Sequence, residues 1–210
     1  MLIDLFLDLI FLDCSEITKN LLVNIMKVNE CYIRSVPLRK EFNVEGVLVT
    51  FYEANHCPGA VIILFKMPDG KYHLHTGDLR FNLDVQDHKN LMKFPITNCY
   101  LDTTYCDPKY IFPKQEKIIN TVMEYISCHK KHRTLFVFGS YTIGKEKLFL
   151  EASDRFKWKI YVNSRKEKVI NCLNLTPTQS SMFTRNKEEA QIHVVMMNHL
   201  TYQSMSKYIY

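Results

Sequence analysis

The first half of the chain contains short apolar runs separated by turn residues. Residues 44–52 (VEGVLVTFY) and 60–66 (AVIILFK) are rich in β-branched and aromatic residues, which favour strands. The segment MPDG at residues 67–70 is typical of a turn, so residues 60–66 and 72–76 are predicted to form a hairpin. The same half is predicted to contain a helix over residues 15–28, capped by Ser15, and a strand over residues 98–102 that ends at Asp102.

The second half of the chain alternates between strand and helix patterns. Apolar residues at helical spacing behind Pro113 predict a helix over residues 113–126, with the proline at its first position. The following segments are predicted to be a strand, a helix and a strand, over residues 134–138, 145–156 and 158–162. The change of pattern between residues 106 and 113 predicts a boundary between two layered units.

Composition and charge limit the classes of protein to which the chain can belong. Its 210 residues suffice for one large domain or two small ones, and a hydrophobic fraction of 47% suffices for a sizeable core. The net charge of +5 is compatible with a polyanionic partner but does not identify one. The seven cysteines are odd in number and form no CxxC pair, which argues against a disulfide framework and favours a reducing compartment.

The apolar start of the chain, MLIDLFLDLIFL, is predicted to be a buried segment rather than a signal peptide. It has no basic region before the apolar run, Asp4 and Asp8 interrupt it, and no small-residue cleavage site follows. It is also shorter than the roughly 20 apolar residues that a membrane-spanning helix needs.

Two segments of the first half carry candidate metal ligands. His56 lies in the loop NHCPG, where proline and glycine fix the backbone, so it can be a zinc ligand or a structural loop histidine. In HLHTGD, His73 and His75 are predicted to share one face of a strand. Asp78 follows the strand end behind Gly77, where a carboxylate can bridge two cations, so it is the stronger candidate.

Two further segments follow predicted strands. Asp102 stands at the end of an apolar strand, where it can belong to a site or can serve as a turn or cap residue. The loop GSYTIGKE at residues 139–146 nearly fits the nucleotide-binding pattern GxxxxGK[ST]. Glu146 replaces the hydroxyl residue that would bind magnesium, which argues against a phosphotransferase. The loop can instead hold one DNA phosphate through backbone amides and Lys145, or it can be a simple glycine turn.

Four segments taken in order resemble a known family. ANHCPGAVIILF, HTGDLRF, YLDTTYC and GSYTIGKEKLFL closely resemble the DNA cross-link repair branch of the metallo-β-lactamase/β-CASP nucleases, over residues 14 to about 200. The resemblance implies an α/β fold. A metallo-β-lactamase-type αββα sandwich, incomplete here, would cover residues 14–110, and part of an α/β β-CASP insertion would cover residues 111–210. The active site would lie between the two.

The resemblance also implies an activity. Members of this branch use metal-activated water to remove nucleotides from a DNA 5′ end in interstrand cross-link repair, with one or two zinc ions (Zn²⁺). The expected partner is therefore DNA with a 5′ end, single-stranded or cross-linked, in the nucleus. Neither a membrane nor a nucleoside triphosphate is expected.

Residue by residue, the resemblance assigns roles to five positions of this chain. His56 and Asp78 match metal ligands, Asp78 being the bridging aspartate, and Asp102 matches the acid of β-CASP motif A and is the catalytic candidate. Ser140 and Lys145 lie in a loop expected near the substrate, where they would bind a DNA phosphate.

The chain departs from the family pattern in two places. Residues 1–13 stand where the family has its HxHxDH block, and they contain no histidine. The family also has a further histidine downstream of the insertion, and no residue of this chain matches it. His193 and His199 lie in a segment that resembles the middle of the insertion, and they are interpreted as structural. With two matched ligands, we expect a partial chain that alone retains little zinc and does not cleave DNA. The alternative is a catalytically inactive or fragmentary paralogue that retains only DNA or protein binding.

Overall fold

The chain divides after Cys106 into two compact units. The computed structural model describes residues 11–131 and 134–209. The predicted burial of the apolar start falls largely on residues 1–10 and therefore lies outside the described residues. None of the helices in the described ranges combines the length and the apolar character that crossing a membrane would require.

The first unit is built on a mixed sheet. In the described residues this sheet has five strands in the order β3-β4-β5-β6-β7, of which the first four are antiparallel and β7 joins β6 in parallel. A separate parallel pair is formed by β1 and β2. The elements are β1 (Leu12–Cys14), α1 (Glu16–Asn24), β2 (Ile33–Ser35), β3 (Glu41–Val44), β4 (Val47–Glu53), β5 (Val61–Lys66), β6 (Tyr72–His75), α2 (Gln86–Leu91) and β7 (Ile96–Tyr100).

Most predicted elements of the first unit are confirmed, with two corrections. The Ser15 hydroxyl caps α1 by accepting from the Thr18 N–H, and the predicted hairpin is β5–β6. The prediction of a single strand over residues 44–52 is wrong. Glu45 and Gly46 both have positive φ and form a two-residue turn between β3 and β4. The strand predicted to end at Asp102 ends at Tyr100.

The second unit is a parallel α/β layer structure. Its described strands form one sheet in the order β10-β9-β11-β8, with every neighbouring pair parallel. Its core packs α3 and α4 against this sheet through buried Met123, Ile126, Phe149, Ile160 and Ile192. The elements are α3 (Gln115–His129), β8 (Phe136–Ser140), α4 (Glu146–Phe156), β9 (Lys159–Tyr161), α5 (Ser164–Ile170), α6 (Pro177–Ser180), β10 (Phe183–Thr184), β11 (Ala190–Met196) and α7 (Tyr202–Ile209).

The start of α3 differs from the prediction. The helix begins at Gln115 and its N-cap is Lys114, so Pro113 precedes the helix instead of occupying its first position. The other helix and strand boundaries predicted in this unit lie within three residues of those observed. Both units are α/β, as the sequence predicts.

His193 is a buried polar residue in the middle of β11. Its Nε2 lies 3.0 Å from the Lys187 carbonyl oxygen and therefore carries the proton, so Nδ1 accepts from the Tyr208 hydroxyl at 2.7 Å. Burial lowers the pKa of His193, and burial also raises the pKa of the Tyr208 hydroxyl. The imidazole is therefore held neutral between β11 and α7, consistent with a structural role.

The stability of the second unit should fall as the pH is lowered below about 6.5, the ordinary histidine pKa. Because the pKa of His193 is depressed in the folded chain, the unfolded chain binds a proton first, and acid favours unfolding. One such proton can lower the free energy of unfolding by at most about 1.4 kcal/mol per pH unit. Denaturation followed by fluorescence of Trp158 at pH 7.5 and 5.5 measures the effect. His193→Gln should reduce it, while replacement of exposed His129 should leave it unchanged.

Candidate functional site

His56 and Asp78 face each other at one edge of the sheet in the first unit. Their Nε2 and Oδ2 atoms are 3.7 Å apart, with the His56 side chain 38% and the Asp78 side chain 80% exposed. The sheet explains why they meet. Strands β4 and β6 are both antiparallel to β5, so they run in the same direction and end at the same edge. Strand β7 is parallel to β6 and brings Asp102 to that edge as well.

The loop that carries His56 has a defined backbone. The Ala60 N–H donates to the Cys57 carbonyl at 3.1 Å, which closes a turn around Pro58 and Gly59. Gly59 has a φ of +87°, a conformation that a residue with a side chain rarely adopts. Its carbonyl accepts from the Ser15 hydroxyl at 2.8 Å, which anchors the turn to the start of α1. The N-cap of α1 thus also fixes the loop of His56.

The two loops are also joined to each other. The Arg80 N–H donates to the Ala54 carbonyl at 3.1 Å, and the Asn55 side-chain amide donates to the Arg80 carbonyl at 3.2 Å. These residues lie within two positions of His56 and Asp78. The two hydrogen bonds therefore join the loop of His56 to the loop of Asp78.

Asp102 is fixed beside the Asp78 loop. One of its carboxylate oxygens accepts from the Leu79 N–H at 3.2 Å and the other from the Thr104 N–H at 2.9 Å. Its own N–H donates to the buried Thr76 hydroxyl at 2.9 Å. Hydrogen bonds from Thr104 and Leu79, together with the charge of His56, lower the pKa of Asp102. Asp102 is therefore an ionised carboxylate at neutral pH.

The histidines of β6 have other contacts. His73 Nδ1 lies 3.2 Å from the Asn98 amide nitrogen, and His75 Nδ1 accepts from the Gly77 N–H at 3.1 Å. Among the residues that the structure describes, no group of three or more His, Cys, Asp or Glu side chains is arranged to hold one metal ion. The pair formed by His56 and Asp78 thus offers two facing donors, and Asp102 adds a carboxylate beside the Asp78 loop.

The loop between β8 and α4 in the second unit contains a buried ion pair. Lys166 Nζ lies 3.0 Å from Glu146 Oε1, and both side chains are at least 90% buried. The Glu146 carboxylate also accepts from the Gly144 N–H at 2.8 and 3.0 Å. A carboxylate of the chain itself therefore occupies the amide that a bound anion would use.

The two phosphate-binding candidates of this loop are placed differently. Ser140 is 2% exposed, and its hydroxyl is hydrogen-bonded to Lys166 and to the Gly144 carbonyl. Lys145 is exposed, with Nζ 5.6 Å from the centre of the Tyr141 ring, which is also exposed. A pocket at the carboxyl ends of β8 and β11 lies next to this loop, and exposed Arg165 is among its lining residues. Lys145 Nζ also lies 3.3 Å from Met197 Sδ, a weak acceptor. Lys145 can therefore exchange this contact for a ligand, whereas Ser140 is hydrogen-bonded within the protein.

Three buried polar residues of the two units are not indicated by the sequence. Asp87 and His88 of α2 are fully buried, and Lys166 lies 20 residues from its partner Glu146. A short segment with adjacent acid and histidine is unremarkable in a sequence, because only the fold shows which backbone groups it meets. Glu146 did give a signal, as the residue that breaks the nucleotide-binding pattern.

Several curated proteins named for DNA cross-link repair or 5′ exonuclease activity are similar in sequence to this chain. The chain is 40% identical over 200 residues to the DNA cross-link repair 1A protein of Homo sapiens, covering 93% of this chain and 19% of that protein. It is 34% identical over 198 residues to the DNA cross-link repair protein SNM1 of Arabidopsis thaliana, covering 93% and 41% respectively. It is 32% identical over 183 residues to the 5′ exonuclease Apollo of Gallus gallus, covering 87% and 38%.

Two further comparisons concern family models and folds. No family model matches the chain. Its fold is similar to that of a protein of unknown function from Enterococcus faecalis V583, with a TM-score of 0.65, 11% identity, and coverage of 89% of this chain and 53% of that one. This likeness supports the α/β fold alone. The chain spans about a fifth of the length of the cross-link repair 1A proteins that it matches. The chain is therefore similar in sequence to one segment of the DNA cross-link repair 1A/SNM1 and Apollo proteins.

Proposed function

We propose that this chain is the part of a nuclear DNA-repair nuclease that supplies a metal-ligand pair, a carboxylate beside it and a contact to DNA phosphate. The observation that carries the proposal is the 3.7 Å separation of His56 Nε2 and Asp78 Oδ2 at the edge where three strands end. Two donor atoms at this distance can bind one ion with bonds of about 2 Å. Relatives named for cross-link repair and for 5′ exonuclease activity support DNA as the substrate.

The donor set fits zinc in its chemistry. Imidazole nitrogen and carboxylate oxygen are both ordinary zinc ligands, and the exposure of the Asp78 side chain leaves room for a second ion or a substrate. His56 and Asp78 would hold the ion, and a catalytic zinc usually has three protein ligands and one open position. A hydrolytic zinc lowers the pKa of its bound water to about 7 and so makes a hydroxide available at neutral pH.

The residues of this chain would prepare the hydrolysis in two ways. Asp102 is an ionised carboxylate whose oxygens accept from Leu79 and Thr104. It can orient a water molecule placed near Asp78 by accepting a further hydrogen bond from it. Lys145 can bind a phosphate of the strand, and the adjacent Tyr141 ring can stack on a base.

Binding of a 5′-phosphorylated single strand should depend on Lys145. Replacing Lys145 by alanine should lower the slope of log affinity against log salt by about 0.7 to 1, because one phosphate contact is lost. Fluorescence anisotropy at several salt concentrations measures this slope. Lys157→Ala is the matched control, because Lys157 lies beyond the other end of α4 and pairs with Asp154.

The same sample should not bind ATP with magnesium. The Glu146 carboxylate already occupies the Gly144 N–H and would repel a triphosphate. Magnesium-dependent ATP binding that Lys145→Ala abolishes would overturn the DNA-phosphate proposal for this loop, and so would a salt slope unchanged by that substitution.

A second candidate function is DNA binding without cleavage. The observation in its favour is that the described ranges contain no group of three or more metal-binding side chains around one point. This candidate predicts DNA affinity in the second unit together with no effect of zinc on the first unit. A Zn²⁺ titration that follows the ring resonances of His56 separates the two functions.

A further inference from the structure

We propose that Asp87 and His88 are positioning residues that set His56 against Asp78. The proposal deepens the metal-site proposal and rests on it for its functional meaning. The two residues are adjacent in α2, and neither side chain has exposed surface. The described polar contacts of the two side chains are with three residues. These are Glu53, which precedes His56, Asn82, which follows Asp78, and Arg39.

His88 bridges the two ligand-bearing segments. Its Nε2 lies 3.1 Å from the carbonyl oxygen of Glu53, the last residue of β4, three positions before His56. Its Nδ1 lies 2.9 Å from the Asn82 nitrogen and 3.1 Å from the Asn82 carbonyl oxygen, four positions after Asp78. Because a carbonyl only accepts, Nε2 donates to Glu53, and Nδ1 accepts from the Asn82 N–H. One ring thus connects the segment of His56 with the segment of Asp78.

Asp87 binds the backbone N–H of the same residue, Glu53. Its Oδ2 accepts from the Glu53 N–H at 2.9 Å, and its Oδ1 accepts from Arg39 Nε at 2.5 Å. Arg39 is in turn fixed by its own N–H, which donates to the Phe51 carbonyl at 2.8 Å. Both the N–H and the C=O of Glu53 are therefore bound by α2, at the point where β4 passes into the loop of His56.

The contacts continue from these anchors to the ligands. Beyond Glu53, the carbonyl of fully buried Ala54 accepts from the Arg80 N–H, and Asn55 donates to the Arg80 carbonyl. Arg80 lies two residues from Asp78 and two from Asn82, which His88 holds. The two loops and α2 thus form a closed set of hydrogen bonds, and removing the His88 ring opens it on both sides.

Simple packing does not account for this pair. Leu91 is the buried apolar residue of α2 and belongs to the core cluster around Ile62 and Leu64. Burying a charge and an imidazole costs free energy unless their hydrogen bonds are satisfied, so an apolar residue would serve packing alone at lower cost. The hydrogen bonds to Glu53 and Asn82 give the pair its specific use.

The test uses the whole 210-residue chain and two measurements without metal. His88→Phe keeps an aromatic ring beside Phe81, on which His88 stacks, and removes both hydrogen bonds. In this variant, amide hydrogen exchange should become at least about tenfold faster in residues 53–60 and 77–83, while the β5–β6 ladder keeps its protection. The matched control is His193→Phe, another buried histidine, which should leave the first unit unchanged.

The second measurement reports on the separation of the two ligands. In the parent chain, Asp78→Asn should shift the ring resonances of His56, because the groups are 3.7 Å apart. In the His88→Phe background the same substitution should shift them by less than half as much. His88→Gln, whose amide can still donate to Glu53, should restore part of the shift.

Two results would overturn the positioning role. One is unchanged exchange in both loops, and the other is faster exchange across the whole first unit with the His56–Asp78 coupling intact. Failure of the metal proposal is distinguishable, because both measurements are made without zinc. If the exchange and coupling results are as predicted but the parent chain does not bind Zn²⁺ at His56, Asp87 and His88 still position the two loops. In that case only the metal assignment is wrong.

Discussion

Replacing Lys166 by methionine should lower the free energy of unfolding of the second unit by about 3–5 kcal/mol. The ammonium group contacts the Glu146 carboxylate at 3.0 Å, the Ser140 hydroxyl at 3.1 Å and the Thr142 carbonyl at 3.0 Å. Methionine fills similar space but leaves a buried carboxylate with only the Gly144 N–H as a described hydrogen-bond donor. An unpaired buried charge is among the most destabilising changes a core can suffer.

Chemical denaturation followed through Trp158, the single tryptophan, measures the loss in this unit. Lys157→Met is the control, because its ion pair with Asp154 is exposed and should contribute less than about 1 kcal/mol. Combining Lys166→Met with Glu146→Leu removes both charges and should recover much of the lost stability. A Lys166→Met variant within about 1 kcal/mol of the parent would contradict the assigned pairing.

The ion pair also explains why the loop of residues 139–146 resembles a nucleotide-binding loop without the chemistry of one. Glu146 turns back onto the Gly144 N–H, and Lys166 neutralises it from α5. Lys145, with a positive φ at the start of α4, is left exposed beside Tyr141. Lys145 is therefore exposed to a phosphate, while Lys166 is buried in its ion pair with Glu146.

The sequence predicted those parts of the fold that depend on local patterns. The Ser15 cap and the β5–β6 hairpin follow from short-range spacing, and they are found as predicted. The two-residue turn at Glu45 and Gly46 was missed, because apolar residues continue on both sides of it. Because proline suits the first helical position, the sequence predicts Pro113 inside α3, but the helix begins two residues after Pro113.

The candidate site shows the limit of local patterns more clearly. The sequence indicates His56 by the proline and glycine that fix its loop, and Asp78 and Asp102 by the strands that they follow. The sheet order brings these segments to one edge. The support of that edge by His88 could not be predicted, because His88 meets Glu53 across 35 residues. The same holds for the ion pair of the second unit, in which Lys166 meets Glu146 across 20 residues. Such pairings depend on how helices pack against strands, which no spacing within one segment reveals.

Asp78→Asn and His56→Gln should each weaken the binding of zinc by the chain by more than tenfold, measured by His56 ring resonances for the first and by calorimetric titration for the second. Loss of a partner that only supports a metal ligand costs about 10- to 100-fold in affinity, so loss of a ligand itself should cost at least as much. Asparagine keeps the shape of the side chain but not its charge, and glutamine lacks the imidazole nitrogen. His75→Gln is the matched control, because His75 ends β6 close to the site but its Nδ1 accepts from the Gly77 N–H.

The most direct test of the metal site is a titration of the 210-residue chain with Zn²⁺, in which the ring nitrogen resonances of His56 are followed by NMR. With two of the usual three protein ligands, zinc should bind weakly. We expect a shift at His56 that saturates only at raised zinc concentration, with one zinc per chain at that site, that persists in His75→Gln and that needs more than tenfold more zinc in Asp78→Asn. A His56 ring unaffected by zinc would contradict the metal-site proposal, as would a zinc response in the parent chain that Asp78→Asn leaves unchanged.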